Sequence, residues 1–337
     1  MPRKSYRQAI KEALLLEMRR DPRVVIMGED IAGGMGAEGE QDAWGGPFKT
    51  SKGLLAEFGR ERVLDTPITE SAFIGAAVGA AATGLRPVAE LMFVDFMGVC
   101  FDQIFNQAAK FRYMFGGKAT TPVVIRTSYG AGRSSASQHS QSLYPIFTHI
   151  PGLKVVIPSS AYDVKGLLIQ AIRDDDPVIF FEHRTMYDDE DEVPDAAYTI
   201  PFGEANLVRE GEDATILAVG RMVTVAKKAA DALEKEGIDC TVVDPRTLSP
   251  LDEDTILETV EETGRLVIVD ESSPRCNLAT DISALVTEKA FSALKAPTRM
   301  VTPPHSPVPY APELERAYIP SVDRVVQAVR DSVAYKR

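Results

Sequence analysis

Glu70 is the ionisable side chain whose surroundings in this sequence say most about chemistry. It heads a run, residues 72–85, in which no side chain ionises and small residues recur at Ala72, Gly75, Ala76, Gly79, Ala80 and Gly84 with helical spacing. A helix of that composition is expected to be buried and closely packed, so a carboxyl at its mouth sits where water is scarce. Desolvation favours the protonated acid and a helix N-terminus favours the anion, a balance that suits a group sharing its proton with a ligand. An ordinary helix-start glutamate that satisfies free amides fits the same position. His139, one of four histidines, lies in AGRSSASQHSQS after the strand-like TPVVIRT. Such a loop offers an imidazole to a site for proton transfer, or simply to solvent. A third pattern, Gly34, Gly36 and Gly39 in G-x-G-x-x-G after RVVIMGEDI, has the spacing of a dinucleotide pyrophosphate turn. The residues that follow, GEQDAWGGPFKTSKG, show no apolar period to open the helix such a site requires. A glycine-rich loop over a site, or a plain surface loop, fits them better.

Positioning these groups falls to an alternation of short β-branched runs and helical patterns, the signature of an α/β fold with a parallel sheet covered by helices. RVVIMGED, RVLDTP, RPVAELMF, TPVVIRT, LKVVIPS and PVIFFEH read as strands, with helical stretches such as DQIFNQAAKFRYMF between them. Residues 187–201, YDDEDEVPDAAYTIP, have the composition of an acidic, proline-bearing linker. The alternation then restarts with ATILAVG, CTVVD, RLVIVDE and TRMVT. At 337 residues two domains are expected, and we place them at residues 1–186 and 202–337 with the linker between.

Composition excludes several functions. A net charge of −12 with no basic stripe argues against nucleic acid, whose binding rests on phosphate neutralisation. Cys100, Cys240 and Cys276 are far apart and lack CxxC spacing, so neither a disulfide framework nor a zinc site is indicated. The charge-free run is too short to span a bilayer, which takes ~20 apolar residues. The N-terminus, MPRKSYRQAIKEALLLEMRRDP, reads as an amphipathic helix with neither a signal-peptide core nor an acid-poor transit pattern. A reducing cytoplasm and no membrane association are the expectation.

LDTPITES, GLRPVAELMFVDF, QHSQSLYPIFTHIPGLKVVIPS and IRDDDPVIFFEH together resemble the β subunits of thiamine-diphosphate-dependent 2-oxo acid dehydrogenases, over nearly the whole chain. Within that group GGMGAEGEQDAWGG and MFVDFMGVCFDQIFNQAAKFRYMFGG are most similar to the acetoin dehydrogenase branch. The resemblance implies a thiamine-diphosphate-binding, pyrimidine-type parallel-sheet domain followed by a transketolase C-terminal-like α/β domain. It gives Glu70 of the TPxxE motif a hydrogen bond to the cofactor's aminopyrimidine, with Met92 and Phe96 lining that ring; alone, the last two read as core. It makes His139 of QHSQ the proton donor in acyl transfer to a lipoyl arm, while Ser134, Ser135 and Ser137 make the preceding loop more polar than the family pattern. It also implies a structural K+ after YDVKGLLIQAIRDDDP, with Val123, Ala171, Ile172, Asp174 and Asp176 as ligands, mostly through backbone oxygens. A solvated acidic turn is the other reading of those residues.

The family's GDG motif followed by Asn, which holds Mg2+ on the diphosphate, is missing from this chain. The resemblance therefore implies an α subunit that holds Mg2+, in an α2β2 heterotetramer. A lipoyl-bearing dihydrolipoamide acyltransferase core is implied as a further partner. Residues 103–115 are expected to form an interface helix, because Ile104, Phe105, Ala108, Ala109, Phe111, Tyr113 and Phe115 spread around more than one face. The implied reaction is cleavage of acetoin to acetaldehyde with the acetyl group passed to lipoamide; oxidative decarboxylation of pyruvate or a branched-chain 2-oxo acid is the alternative. A nicotinamide oxidoreductase using the Gly34 loop and a non-catalytic assembly subunit stand outside this reading.

Overall fold

The computed structural model describes residues 1–32 and 45–336, so the Gly34, Gly36 and Gly39 motif lies outside the described residues. The chain divides into two units, Met1–Tyr129 with Ile146–Phe202, and Gly130–Pro145 with Gly203–Arg337. No helix among the described residues is long and apolar enough to cross a membrane.

In the first unit the six runs read as strands lie side by side in the order Lys154–Val156, Val178–His183, Val124–Tyr129, Arg86–Phe93, Val24–Gly28 and Val63–Asp65, every pair parallel. Parallel strands covered on both faces need side chains that tolerate burial all round. Val24–Gly28, Val124–Tyr129 and Val178–His183 are accordingly buried at every position. The Tyr6–Arg20 helix starts at a capping box between Ser5 and Gln8 and packs against the Ala161–Arg173 helix.

Two expectations, on the burial of the charge-free helix and on a helix over residues 103–115, are corrected below, and the acidic connector has contacts of its own. The acidic stretch 187–201 belongs to the first unit: Glu190–Glu192 pairs antiparallel with Arg3–Ser5, and Val193 and Ile200 are buried in the unit's core. Apolar residues spaced among the acids pull the strap down, and buried Lys165 needs acceptors. Its ammonium donates to the carbonyls of Pro194 and Asp195 and lies 3.1 Å from Glu12. Gly166 makes the approach possible, since a Cβ there would come within 2.7 Å of Tyr198 and Ile200.

The charge-free helix, Glu70–Ala82, is buried on one face only. Phe73, Ile74, Ala77, Val78 and Ala81 point in, while Ala72, Ala76 and Gly79 are exposed. The larger apolar side chains gain most from leaving water, so they take the inner face. Residues 103–115 form no continuous α-helix either. Met97–Asp102 is α-helical, Gln103–Ala108 is a π-turn and Phe111–Met114 is a last short α-helical turn. The wide turn lies close against the Glu70–Ala82 helix, where a Cβ on Gly75 would stand 2.9 Å from the Gln103 amide oxygen.

The second unit carries Arg299–Val301, Leu266–Val269, Ala214–Ala218 and Cys240–Asp244 as parallel neighbours, closed at one edge by the antiparallel strand Asn206–Arg209. The Arg221–Glu234 and Val322–Val333 helices pack together over its core. By its contacts the segment 130–145, which carries His139, groups with this unit. The reason is chemical and appears below.

Candidate active site

Glu70 is the first residue of its helix and only 9% exposed. The preceding residue, Thr69, makes no side-chain cap, its hydroxyl donating instead to the Pro67 carbonyl at 3.3 Å. Among the described residues nothing hydrogen-bonds the Glu70 carboxyl, so it does not serve the helix by capping amides. A nearly dry carboxyl at a helix mouth with no protein partner is what a polar ligand atom would complete. Its charge is felt nearby. Burial, with help from Glu70, pushes the Glu29 carboxyl above its ordinary range and the Cys100 thiol up to about 12.

Met92 and Phe96 are both half-buried at the end of the Arg86–Phe93 strand and the turn after it. Phe96 packs edge-on against Phe93 with ring centroids 5.5 Å apart, and Phe93 in turn meets Phe48 at 5.9 Å. Ser128 donates to the Met92 carbonyl, which fixes the strand end. Partial exposure leaves each side chain surface with which to meet an aromatic ring.

Two features here escaped sequence reading. Glu29 follows the Val24–Gly28 strand, and the carboxyl ends of strands are where open α/β sheets bind ligands. The second is a buried ion network. Arg126, 3% exposed, donates to Glu182 at 2.6 and 2.9 Å and to Glu90 at 3.0 Å; Thr50 donates to Glu90 and Tyr187 to Glu182. Burial holds the Glu90 acid above its usual range against the pull of Arg126. A charge inside VVIRT or VAELMF was the available signal, since such residues are rarely buried unless paired.

His139 is half-buried in a loop tied down by three buried carboxylates of the second unit. Glu271 accepts the Ala131 amide at 2.8 Å, Glu315 accepts the amides of Gly132 and Ser134, and Asp270 accepts the Tyr144 hydroxyl. These bonds explain why the loop belongs with residues far along the chain. They also account for Ser134, whose amide and hydroxyl both face Glu315.

At the turn after the Ala161–Arg173 helix, a single Arg86 nitrogen takes the carbonyls of Ile172 at 3.0 Å and Asp174 at 2.8 Å. Ala171 O accepts the Asp174 amide and Val123 O the Val178 amide. Lys154 holds the Asp174 carboxylate at 2.6 Å and Arg112 pairs with Asp176. The turn therefore gathers oxygens around positive charge, although both carboxylates already face protein cations. No cluster of acidic, histidine or cysteine side chains suited to a metal is present among the described residues.

Residues 3–189 match the family described as "Transketolase, pyrimidine binding domain" and residues 203–325 match "Transketolase, C-terminal domain". The chain is 65% identical over 329 residues to the acetoin:2,6-dichlorophenolindophenol oxidoreductase subunit beta of Cupriavidus necator, covering 98% of this chain and 97% of that one. It is 57% identical to the Bacillus subtilis protein of the same name, covering 96% and 95%. The pyruvate dehydrogenase E1 component subunit beta of Rickettsia felis is 45% identical, covering 98% of each. Among solved structures, a split-gene transketolase described as an inactive β4 tetramer shares the fold with a TM-score of 0.78 at 24% identity, covering 99% of each chain.

Proposed function

This chain belongs to the family of β subunits of the thiamine-diphosphate-dependent acetoin and 2-oxo acid dehydrogenases, and we propose that it serves a complex that cleaves acetoin to acetaldehyde and passes the acetyl group to lipoamide. The observation that carries this is Glu70, a nearly dry carboxyl that has no hydrogen-bond partner among the described residues, in the unit that matches the pyrimidine-binding family. Identity of 65% and 57% to the two acetoin relatives, against 45% to the pyruvate relative, selects the substrate.

Thiamine diphosphate, when bound, supplies the carbon nucleophile that breaks the carbon–carbon bond. The chain's own part is to hold and move protons. Glu70 would share a proton with the aminopyrimidine of a bound cofactor, Met92 and Phe96 would hold that ring, and His139 would give protons to the lipoyl sulfur during acyl transfer. The diphosphate and its Mg2+ fall to an α subunit in an α2β2 assembly, because this chain lacks the GDG and Asn pattern for them. Exposed apolar residues on neighbouring elements support that division: Ala72, Ala76 and Gly79 are exposed, and so are Val99, Tyr113 and Met114. Activity then requires both chains, and the acyltransferase core takes the product.

Co-purified with its α partner, the chain is expected to reduce a dye in a thiamine-diphosphate-dependent manner with kcat/KM for acetoin at least about tenfold above that for pyruvate, a difference of ~1.4 kcal/mol in transition-state binding. Preference for pyruvate would move it to the decarboxylating branch. Structural K+ is proposed at the turn with Val123, Ala171, Ile172, Asp174 and Asp176 as ligands, mostly through backbone oxygens, each of which keeps a second lone pair beside the bond it already accepts. Dialysis from K+ into tetramethylammonium buffer should lower the thermal midpoint by several degrees, following the loss of a ligand of the folded state. An unchanged midpoint over a K+ titration would refute that site.

A further inference from the structure

We propose that Glu315 is the positioning residue of the His139 loop: its buried carboxylate holds the backbone at Gly132 and Ser134 in the turn that sets where His139 stands. The proposal rests on the assignment of His139 to acyl transfer. Left-handed backbone is concentrated in this segment, at Gly130, Gly132, Ser134 and Ala136, with φ of +92°, +110°, +49° and +58°. Two of these are glycines, for which the region is free of strain, but Ser134 and Ala136 carry a Cβ that disfavours it. Non-glycine residues persist there when their surroundings over-determine them, and they cluster at functional sites.

Glu315 supplies the constraint. It is 4% exposed on the short Pro312–Tyr318 helix. Its Oε1 accepts the Gly132 amide at 2.8 Å, and its Oε2 accepts the Ser134 amide at 2.9 Å and the Ser134 hydroxyl at 3.4 Å. A carboxylate that accepts two amides two residues apart fixes the peptide planes between them. The ends of the loop are held separately, by Glu271 on Ala131, by Asp270 on Tyr144 and by the Gly130 amide on the Gln141 carbonyl at 3.3 Å. Loss of Glu315 therefore removes the carboxylate that fixes the backbone at Gly132 and Ser134 while the bonds at the ends of the segment stay in place. That middle has a surface to shape. Ser137 and Gln141 line a cavity of about 460 Å3 together with His305 and with Tyr318 from the helix of Glu315 itself.

The test uses the reconstituted heterotetramer and two readouts, acetoin-dependent dye reduction and acetyl transfer to lipoamide. In Glu315→Gln the side chain keeps its size, but one of its two acceptors becomes a donor facing an amide. Acetyl transfer is expected to fall at least tenfold while dye reduction stays within about twofold. Glu315→Ala, which removes both acceptors without adding a donor, should give the same split and keeps the question open to measurement if the glutamine variant does not assemble. Adding Ala136→Gly to Glu315→Gln should recover at least threefold of the lost transfer, because glycine takes φ of +58° without strain. Equal loss in both readouts, unimpaired transfer, or no recovery from the glycine would each overturn the proposal. His139→Ala separates the two layers. Undiminished transfer in that variant refutes the role of His139, whereas lost transfer there with normal transfer in Glu315→Gln refutes only the role of Glu315.

Discussion

Glu70→Ala in the reconstituted complex is expected to lose acetoin-dependent dye reduction by about 10²- to 10⁴-fold, the range typical of a positioned proton-transfer group. The fold should survive. Among the described residues the carboxyl is bonded to nothing, Phe73 and Ile74 keep their inward contacts, and alanine is the best helix former available at that position. Thermal midpoint and assembly on the α subunit should therefore match those of the parent. Glu70→Gln keeps the shape and one hydrogen bond but cannot pass a proton, and it should fail to a similar degree. Removing the Glu70 charge also relieves Glu29, whose acid is held high by burial first and by Glu70 second, so its titration should move down in both variants. Parent-like turnover in either variant would remove the basis for the proposed chemistry.

Arg126→Met carries the largest expected effect on stability. The substitution leaves Glu90 and Glu182, 5% and 1% exposed, buried without the guanidinium that compensates both. Breaking a buried ion network by deleting one partner costs about 3–5 kcal/mol. Urea unfolding at neutral pH should show a loss of that order. The gap should narrow on acidification, because burial already holds the Glu90 acid above its usual range and a neutral acid is cheaper to bury. A loss below about 1 kcal/mol, the scale of an exposed pair, would mean that water reaches the site. Glu90 shares a strand with Met92, so surviving enzyme is also expected to bind thiamine diphosphate more weakly.

Why Arg126 was not legible in the sequence is instructive. Glu90 and Glu182 lie 36 and 56 residues away from it, and within a single run a charge looks like the end of a strand. The strands themselves were legible, because burial on both faces leaves long apolar runs such as Val178–His183. Glu70 was legible through its motif and its uncharged helix, but which face of that helix turns inward was not, since small residues recur on both sides. The acidic composition of the stretch 187–201 outweighed Val193, Tyr198 and Ile200, which settle on the first unit through the pairing of Glu190–Glu192 with Arg3–Ser5 and through Tyr162 and Gly166. The placement of residues 130–145 was invisible for a similar reason. Nothing local announces that Ser134 is held by a carboxylate 181 residues away.

The outward row of Ala72, Ala76 and Gly79 has a temporal meaning as well as a spatial one. Side chains no larger than a methyl let another backbone come nearly into contact, so a chain laid along this helix would expel the solvent beside the mouth at Glu70. Until then the carboxyl is incompletely shielded. On the proposed α2β2 assembly, readiness for reaction would be gained during biogenesis, when the subunits meet, and an orphan copy of this chain would stay idle without any inhibitor.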